Sequence, residues 1–474
     1  MRWNIPPANP MPRPTRYPWL VVSLIFIALV IIFFVATLLN WPTGKLVDNS
    51  FIHRAFLLPA SVGFLIAGIV LFVKVSENFA WHTRNYLYGC LKQRWKYWGR
   101  SHLLLHEHAS LSSLDDLALK ILRLEGEFPT APATPLEIDN DSGEQFESTR
   151  LQLILTSILK PLEKTLSFQG SDLSLWLYVH GGSEDNVDEL KTVLKELSIP
   201  AIEKHKIHWL SECPDLALLN TWIDTPFSER RLLIIVDLHT EDKASFCENA
   251  QAFLFTHPDA HNKGFYSVQK PSETPLYWFR TLESSAYKLA EDSRTYLAVE
   301  HIADGTGQHL WHSGLDKQEK YGLYAALDGI ESSASGQNRH DVNFSLGDHS
   351  DGQIWLASAL AADAARYGQG SQLVSGTKAD SFQLGLLSIR PPKETFTPEN
   401  HSPILDSVLC SSVAYLPLMG LIFEVGYIAN NNNAKLDSIY IWLIIGGFIS
   451  FFVMGIVTRF IIERGIEEEI GMYL

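Results

Sequence analysis

Four long apolar runs constrain this chain more than anything else in it: residues 19–41 and 55–73 toward one end, and residues 408–429 and 439–457 toward the other. A helix needs about 20 apolar residues to cross the roughly 30 Å hydrocarbon layer of a bilayer, and each run meets that length. The third run carries a single carboxylate, Glu424, near one end, and the fourth carries no charge. The first run is longer than the 7–15-residue apolar core of a signal peptide, and no small-residue cleavage site follows it. The pattern predicts two membrane hairpins enclosing a polar middle.

Lys and Arg beside the spans set the orientation, because short cytoplasmic flanks are enriched in them. Arg2, Arg13 and Arg16 precede the first run, and Lys74, Arg84, Lys92, Arg94, Lys96 and Arg100 follow the second. Arg459 and Arg464 follow the fourth, whereas the two hairpin turns hold only Lys45, Arg54 and Lys435. Both termini and the middle domain are therefore predicted to face the cytoplasm, in a multi-pass membrane protein. The expected layout is an N-terminus over residues 1–18, a hairpin over 19–74, basic and aromatic juxtamembrane helices over 75–126 and a linker over 127–148. A globular domain over 149–392, a linker over 393–405, a second hairpin over 406–458 and a tail over 459–474 complete it.

With 53 acidic against 38 basic residues the net charge is −15, which argues against a nucleic-acid partner. Cys90, Cys213, Cys247 and Cys410 show neither pairing nor ligand spacing, as suits reduced thiols, and no structural zinc is implied. Between residues 79 and 100, aromatic and basic side chains interleave. Lys92, Arg94, Trp95, Lys96, Trp98 and Arg100 are read as a membrane-surface group, with rings at the headgroups and cations over anionic lipid. The competing reading places Trp95 and Trp98 in the core of the soluble domain. A further helix is expected over residues 113–124.

Pro-rich, acidic residues 127–148 separate this region from the middle domain. A helix over 151–166, interrupted at Pro161, opens the domain, followed by a strand at 173–180, a helix at 184–197 and strands at 205–210 and 232–238. Further strands are expected at 252–256, 295–302, 342–346 and 372–375, and helices at 282–292, 318–327 and 354–367. Continuous apolar strands alternating with helices indicate an α/β fold, a three-layer sandwich around a parallel sheet.

Chemical motifs are sparse. No phosphate-binding loop or serine elbow occurs, and Gly181-Gly182 reads as a turn. Asp237 and His239 stand at the end of a strand, where α/β proteins often place sites. His309, His312, His340, Asp341, Asp348, His349 and Asp351 cluster in sequence without metal-ligand spacing, so neither metal nor cofactor is expected.

Residues 346–391, with a glycine-containing loop, a small-residue helix, a glycine-ended turn and two closing strands, resemble the C-terminal part of the thiolase-like superfamily, the β-ketoacyl synthases among them. Residues 301–314 resemble that family's strand and loop carrying a catalytic histidine, and the likeness extends over residues 171–392. The resemblance implies a thiolate at a strand-to-helix turn and two histidines, or a His/Asn pair. Here Cys213 lies in SECPDL and Cys247 in an acidic stretch. Asp304-Gly305-Thr306-Gly307 replaces the histidine loop, and Gly347-Asp348-His349 retains one histidine. Shortened thiolase-like proteins without a working site occur among bacterial secretion genes. The resemblance therefore implies a noncatalytic domain that binds a membrane protein or a component or cargo of a type VI secretion apparatus, with a homodimer left open. The alternative is a membrane-bound acyl-transfer enzyme using Cys213 or Cys247 with His349. Transport is disfavoured because Glu424 alone gives the spans no polar path.

The orientation predicts that cysteines placed at Asn49 and Asn432 react with an impermeant maleimide in intact spheroplasts while one at Ser335 does not. The reverse labelling pattern would discard the topology.

Overall fold

A computed structural model of the chain describes residues 3–8, 11–15, 19–138, 148–168, 173–200, 202–239, 245–259, 274–285, 287–303, 307–328, 334, 336–347, 350–378 and 381–394, with scattered residues between 445 and 471. Two bodies emerge, one comprising Met1–Ile5 and Trp95–Thr395, the other Pro6–Arg94 and Phe396–Leu474.

In the second body, α1 (Trp19–Leu39) is apolar on every side, buries none of its side chains and has a mean hydropathy of 3.2. Among the described residues it is the one helix long and apolar enough to cross a membrane. A turn leads from it to α2 (Asn49–Ile52), where the Asp48 carboxylate accepts the amides of Ser50 and Phe51 at 3.0 and 3.1 Å. After one π turn, His53–Leu57, comes α3 (Leu58–Gly99), which holds most of the second apolar run. A methyl group on Gly63 would lie 2.4 Å from the ring of Phe26, so the glycine lets α1 and α3 approach closely. The third run lies outside the described residues, and the fourth is described at only a few positions.

The first body is built on one mixed sheet. Its strands are β1 (His102–Ser112), β2 (Leu173–Val179), β3 (Ile207–Trp209), β4 (Arg230–Asp237), β5 (Asn249–Thr256), β6 (Leu276–Phe279), β7 (Leu282–Ser285), β8 (His309–Ser313), β9 (Arg339–Asp341), β10 (Gln372–Lys378) and β11 (Ser381–Ser388). Its helices are α4 (Leu117–Ile121), α5 (Arg150–Leu159), α6 (Glu163–Phe168), α7 (Asn186–Glu196), α8 (Ala217–Asp224), α9 (Leu289–Leu297), α10 (Lys317–Asp328), α11 (Val342–Leu346) and α12 (Gln353–Arg366).

Across the sheet the order is β3-β2-β4-β5-β1-β6-β11-β10-β8-β9, with β7 also beside β11. This order is a palindrome of two copies. In the first, β3, β2 and β4 are parallel, and β5 runs against both β4 and β1. In the second, β9, β8 and β10 are parallel, and β11 runs against both β10 and β6. The copies join where β1 and β6 pair antiparallel, Leu103 opposite Trp278. The chain therefore contains an internal structural duplication in which α8 and α12 occupy equivalent places, each leading into the middle strand of its copy.

α12 sits at the centre. Every residue in it except Asp363 and Arg366 is buried, and it packs on β1, β5, β8, β10 and β11. Its ALAADAA-type composition permits this, because small side chains let strands close on a helix from several directions. Asp363 accepts from His108 at 2.8 Å, and Arg366 donates to the His106 carbonyl at 2.9 Å, fixing the helix to β1. Trp355 lies 5.5 Å from the ring of Phe253 and donates its indole N–H to the Pro214 carbonyl at 2.8 Å.

The α/β class holds, and the interruption of the first helix at Pro161 is a single 3₁₀ turn between α5 and α6. Five expectations differ, the first being the helix expected over 282–292: residues 282–285 form β7 against β11, and the helix begins only at Leu289. The sheet is mixed, because each copy ends in an antiparallel strand. The domain begins at Trp95 rather than residue 149, since β1 is its central strand, and residues 127–138 lie along it with Ile138 buried and its amide bound to Glu248 at 2.8 Å. Residues 342–346 are helical, because the Asp341 carboxylate caps the Asn343 amide at 3.1 Å. Residues 295–302 finish α9 and a turn in place of a strand, with Glu300 at a positive φ of 55°.

Glu300 also marks where the chain enters and leaves this body. It bridges Lys96 at 2.9 Å and Lys393 at 2.6 Å, while Arg100 donates to the carbonyls of Val299 and Lys393. Because Trp355 is fully buried between the two copies, Trp355→Ala should cost about 3–5 kcal/mol. Thermal unfolding of the full chain in detergent would show this as a clear drop in midpoint.

Candidate functional site

Parallel strands bring their C-terminal ends to one edge of a sheet, which is where α/β folds gather reactive side chains. Here the ends of β2 and β4 set Tyr178, His180 and Asp237 beside the Ser350–Gly352 turn that precedes α12 and near Cys213, which precedes α8, while Lys378, at the end of β10, which runs opposite to β4, reaches the Cys213 carbonyl from the other copy.

Asp237 is fully buried. One carboxylate oxygen, Oδ2, accepts the Gly352 amide at 2.9 Å, and the other, Oδ1, has no partner among the described residues. Residue 352 must be glycine, because a Cβ there would lie 2.5 Å from Oδ2. Burial pushes the Asp237 carboxyl up from its ordinary range, against the pull of the Ser350 hydroxyl and the Gly352 amide. The Tyr178 hydroxyl donates to Asp351 at 3.5 Å and lies 3.4 Å from His180 Nδ1, and burial raises its pKa as well. Asn249 ties the turn to β5 by donating to Ser350 Oγ at 3.1 Å.

Cys213 is 3% exposed. Lys378 donates to its carbonyl, yet the thiol is pushed well above its ordinary value, first by burial and then by the charge of Asp237. Amides at the head of α8, which could stabilise a thiolate, are already engaged: Leu216 donates to Gln383 at 2.9 Å and Ala217 to Asp215 at 3.1 Å. Cys247 is buried too, its thiol donating to the Leu346 carbonyl at 3.2 Å and accepting the Leu136 amide. His349 lies outside the described residues, as do Asp304, Gly305 and Thr306. In sequence His349 stands four residues before the start of α12, as Cys213 stands four before α8.

Of the strand-end pair, His239 belongs elsewhere, with its amide on Glu248 at 2.9 Å. His309 and His340 pair with each other at 2.9 Å, and His312 meets Tyr324 at 2.6 Å while Asp341 meets Lys320. Burial depresses His340 to about 3 and His312 to about 4. Among the described residues no three His, Cys, Asp or Glu side chains converge as a metal site would require. Within the group expected at the membrane surface, Trp95 is buried, Lys96 pairs with Glu300, Trp98 lies with its ring 4.9 Å from that of Trp3 and tilted against it and carries Arg280 over its face, and Arg100 is 5% exposed. Lys92 and Arg94 are exposed.

Sequence patterns isolated Cys213, Asp237 and Asp351 but not Tyr178, Ser350, Lys378 or Gln383, of which only Tyr178 and Lys378 offer the signal of a strand-end position.

No protein-family model matches the chain, and no curated protein does. Solved structures similar to it include the tetronic acid condensing enzyme AbyA1, at 11% identity over 60% of this chain and 99% of that one, with a TM-score of 0.36. The acyltransferase ChlB3 is similar at 9% identity over 61% and 98%, with a TM-score of 0.38. A monomeric SCP2-thiolase-like protein of Mycobacterium smegmatis is similar at 9% identity over 62% and 78%, with a TM-score of 0.36. At such identities the likeness is one of fold, and the chemistry has to be read from this chain's own side chains.

A buried acid with a raised pKa holds its proton in the folded state after the unfolded chain has lost it. Stability then falls as pH rises from about 4 through the folded value. Asp237→Asn should remove that fall and leave the protein more stable than the parent at pH 7. Melting midpoints of both proteins between pH 4 and 8 test it, and parallel curves would refute the buried-acid assignment.

Proposed function

We propose that this chain presents a thiolase-like domain that binds another protein and does not catalyse condensation. The observation that carries the reading is the setting of Cys213, an enclosed thiol beside Asp237 whose adjacent helix amides are already bonded. A nucleophilic cysteine needs a stabilised thiolate, and this environment favours the thiol. The setting we assign is the inner membrane of a Gram-negative bacterium, with α1 as one span and the domain cytoplasmic, from the apolar runs and their Lys and Arg flanks. The partner class, a component or cargo of a type VI secretion apparatus, follows from the resemblance to shortened thiolase-like proteins. Exposed Lys92 and Arg94 are the members of the basic group we assign to lipid headgroups.

Acyl transfer is the second reading. The place of Cys213 before α8, equivalent to that of His349 before α12, favours it.

Labelling distinguishes them. In the noncatalytic protein, Cys213 should react with iodoacetamide at pH 8 more than about 100-fold slower than in the urea-unfolded chain, given the loss of thiolate. Cys213→Ser and Cys247→Ser should each complement a deletion strain at normal protein abundance. Fast labelling blocked by an acyl-thioester, with loss of complementation, would establish the acyl-transfer reading instead.

A further inference from the structure

One cleft in the second body has both of its sides at the same end of the first two apolar runs. Arg13 and Thr15 come just before the first run and Trp19 opens it, while Asn78, Trp81 and His82 lie in α3 just after the second. The cleft between them measures about 760 Å³, within the range of ligand sites. In a membrane hairpin that end meets the headgroup layer, where tryptophan rings concentrate.

The lining favours an anion. Arg13 is exposed, forms no ion pair among the described residues and offers several N–H donors in a planar fork that fits a phosphate. Lys74 donates to Thr15 Oγ1 at 3.4 Å, so the threonine hydroxyl accepts there and keeps its own proton for a further acceptor. No carboxylate lines the cleft, and Glu77, just before Asn78, is paired with Lys74 at 2.7 Å. The indoles of Trp19 and Trp81 add apolar wall. Past Trp19 the flank of α1 is uncovered, with Leu20 79% and Leu24 63% exposed. A cationic, donor-bearing cleft thus stands at the foot of an open apolar helix.

We propose that this cleft binds the phosphodiester of one anionic phospholipid of the phosphatidylglycerol type, with Arg13 supplying the countercharge, Thr15 a hydroxyl proton, and α1 a surface for the acyl chains. Arg13 balances a single negative charge, whereas the ammonium of a zwitterionic lipid finds no carboxylate in the lining. Placement at the headgroup layer rests on the assignment of α1 as a span, which cysteine labelling at Asn49 tests separately from lipid retention, so either can fail alone.

Native mass spectrometry of the full chain in detergent would be run with dioleoyl phosphatidylglycerol, with phosphatidylethanolamine and phosphatidylcholine of the same acyl chains, and with inorganic phosphate. Phosphatidylglycerol should be retained at least about tenfold more tightly than either zwitterionic lipid, and millimolar phosphate should not displace it. Arg13→Gln should weaken that retention at least about tenfold. Arg54→Gln, an equal loss of charge in the π turn between the two runs, should leave it unchanged. Equal retention of the three lipids, or equal retention of phosphatidylglycerol by the parent and Arg13→Gln, would overturn the proposal. Displacement by inorganic phosphate would overturn the lipid as occupant and assign the cleft to free phosphate. The lipid comparison is made on the unsubstituted chain and is independent of any variant's folding.

Discussion

A helix made mostly of small and apolar residues is stable only if something covers nearly every face, and α12 meets that condition by lying between the two copies of a duplicated sheet. Neither copy could enclose it alone. β1 and β5 come from one, β8, β10 and β11 from the other, and the antiparallel β1–β6 pair keeps them at a fixed separation. The polar edge depends on the same enclosure. Gly352 can press against Asp237 because the helix it starts is clamped, and Trp355 in the next turn holds the loop of Cys213 through the Pro214 carbonyl.

Much of this was legible in the residues and some was not. β2, β4 and α12 announced themselves through unbroken apolar or small-residue runs, which only burial on both faces explains. β1 did not, since HLLLHEHASLS mixes three leucines with polar residues. Its His106, Glu107 and His108 satisfy partners on neighbouring elements, so nothing in its period marks a central strand. The duplication is also hidden from composition, because it resides in strand order. α11 shows a local cap overriding the strand preference of its Val and Phe. At the site, strand-end position pointed to Asp237, but Tyr178, Lys378 and Gln383 come together only through the sheet order.

The chemistry of this edge runs opposite to what a thiol nucleophile requires. Where a thiolate would be met by open amides, α8 is capped by Gln383, and the nearest charges include carboxylates that oppose a second negative group. The core and this edge rest on different residues, so the electrostatics of the edge are set independently of the architecture.

The ion bridges of Glu300 to Lys96 and Lys393 have a mechanical meaning as well. With the chain's arrival and departure fastened to one turn, this body is a cassette whose two ends meet. Such a cassette can be set within a host polypeptide without stretching it. Tension applied through both ends would strain the lysine bridges and the Arg100 bonds first, leaving the hydrogen-bonded ladders of the sheet unloaded until that fastening gave way.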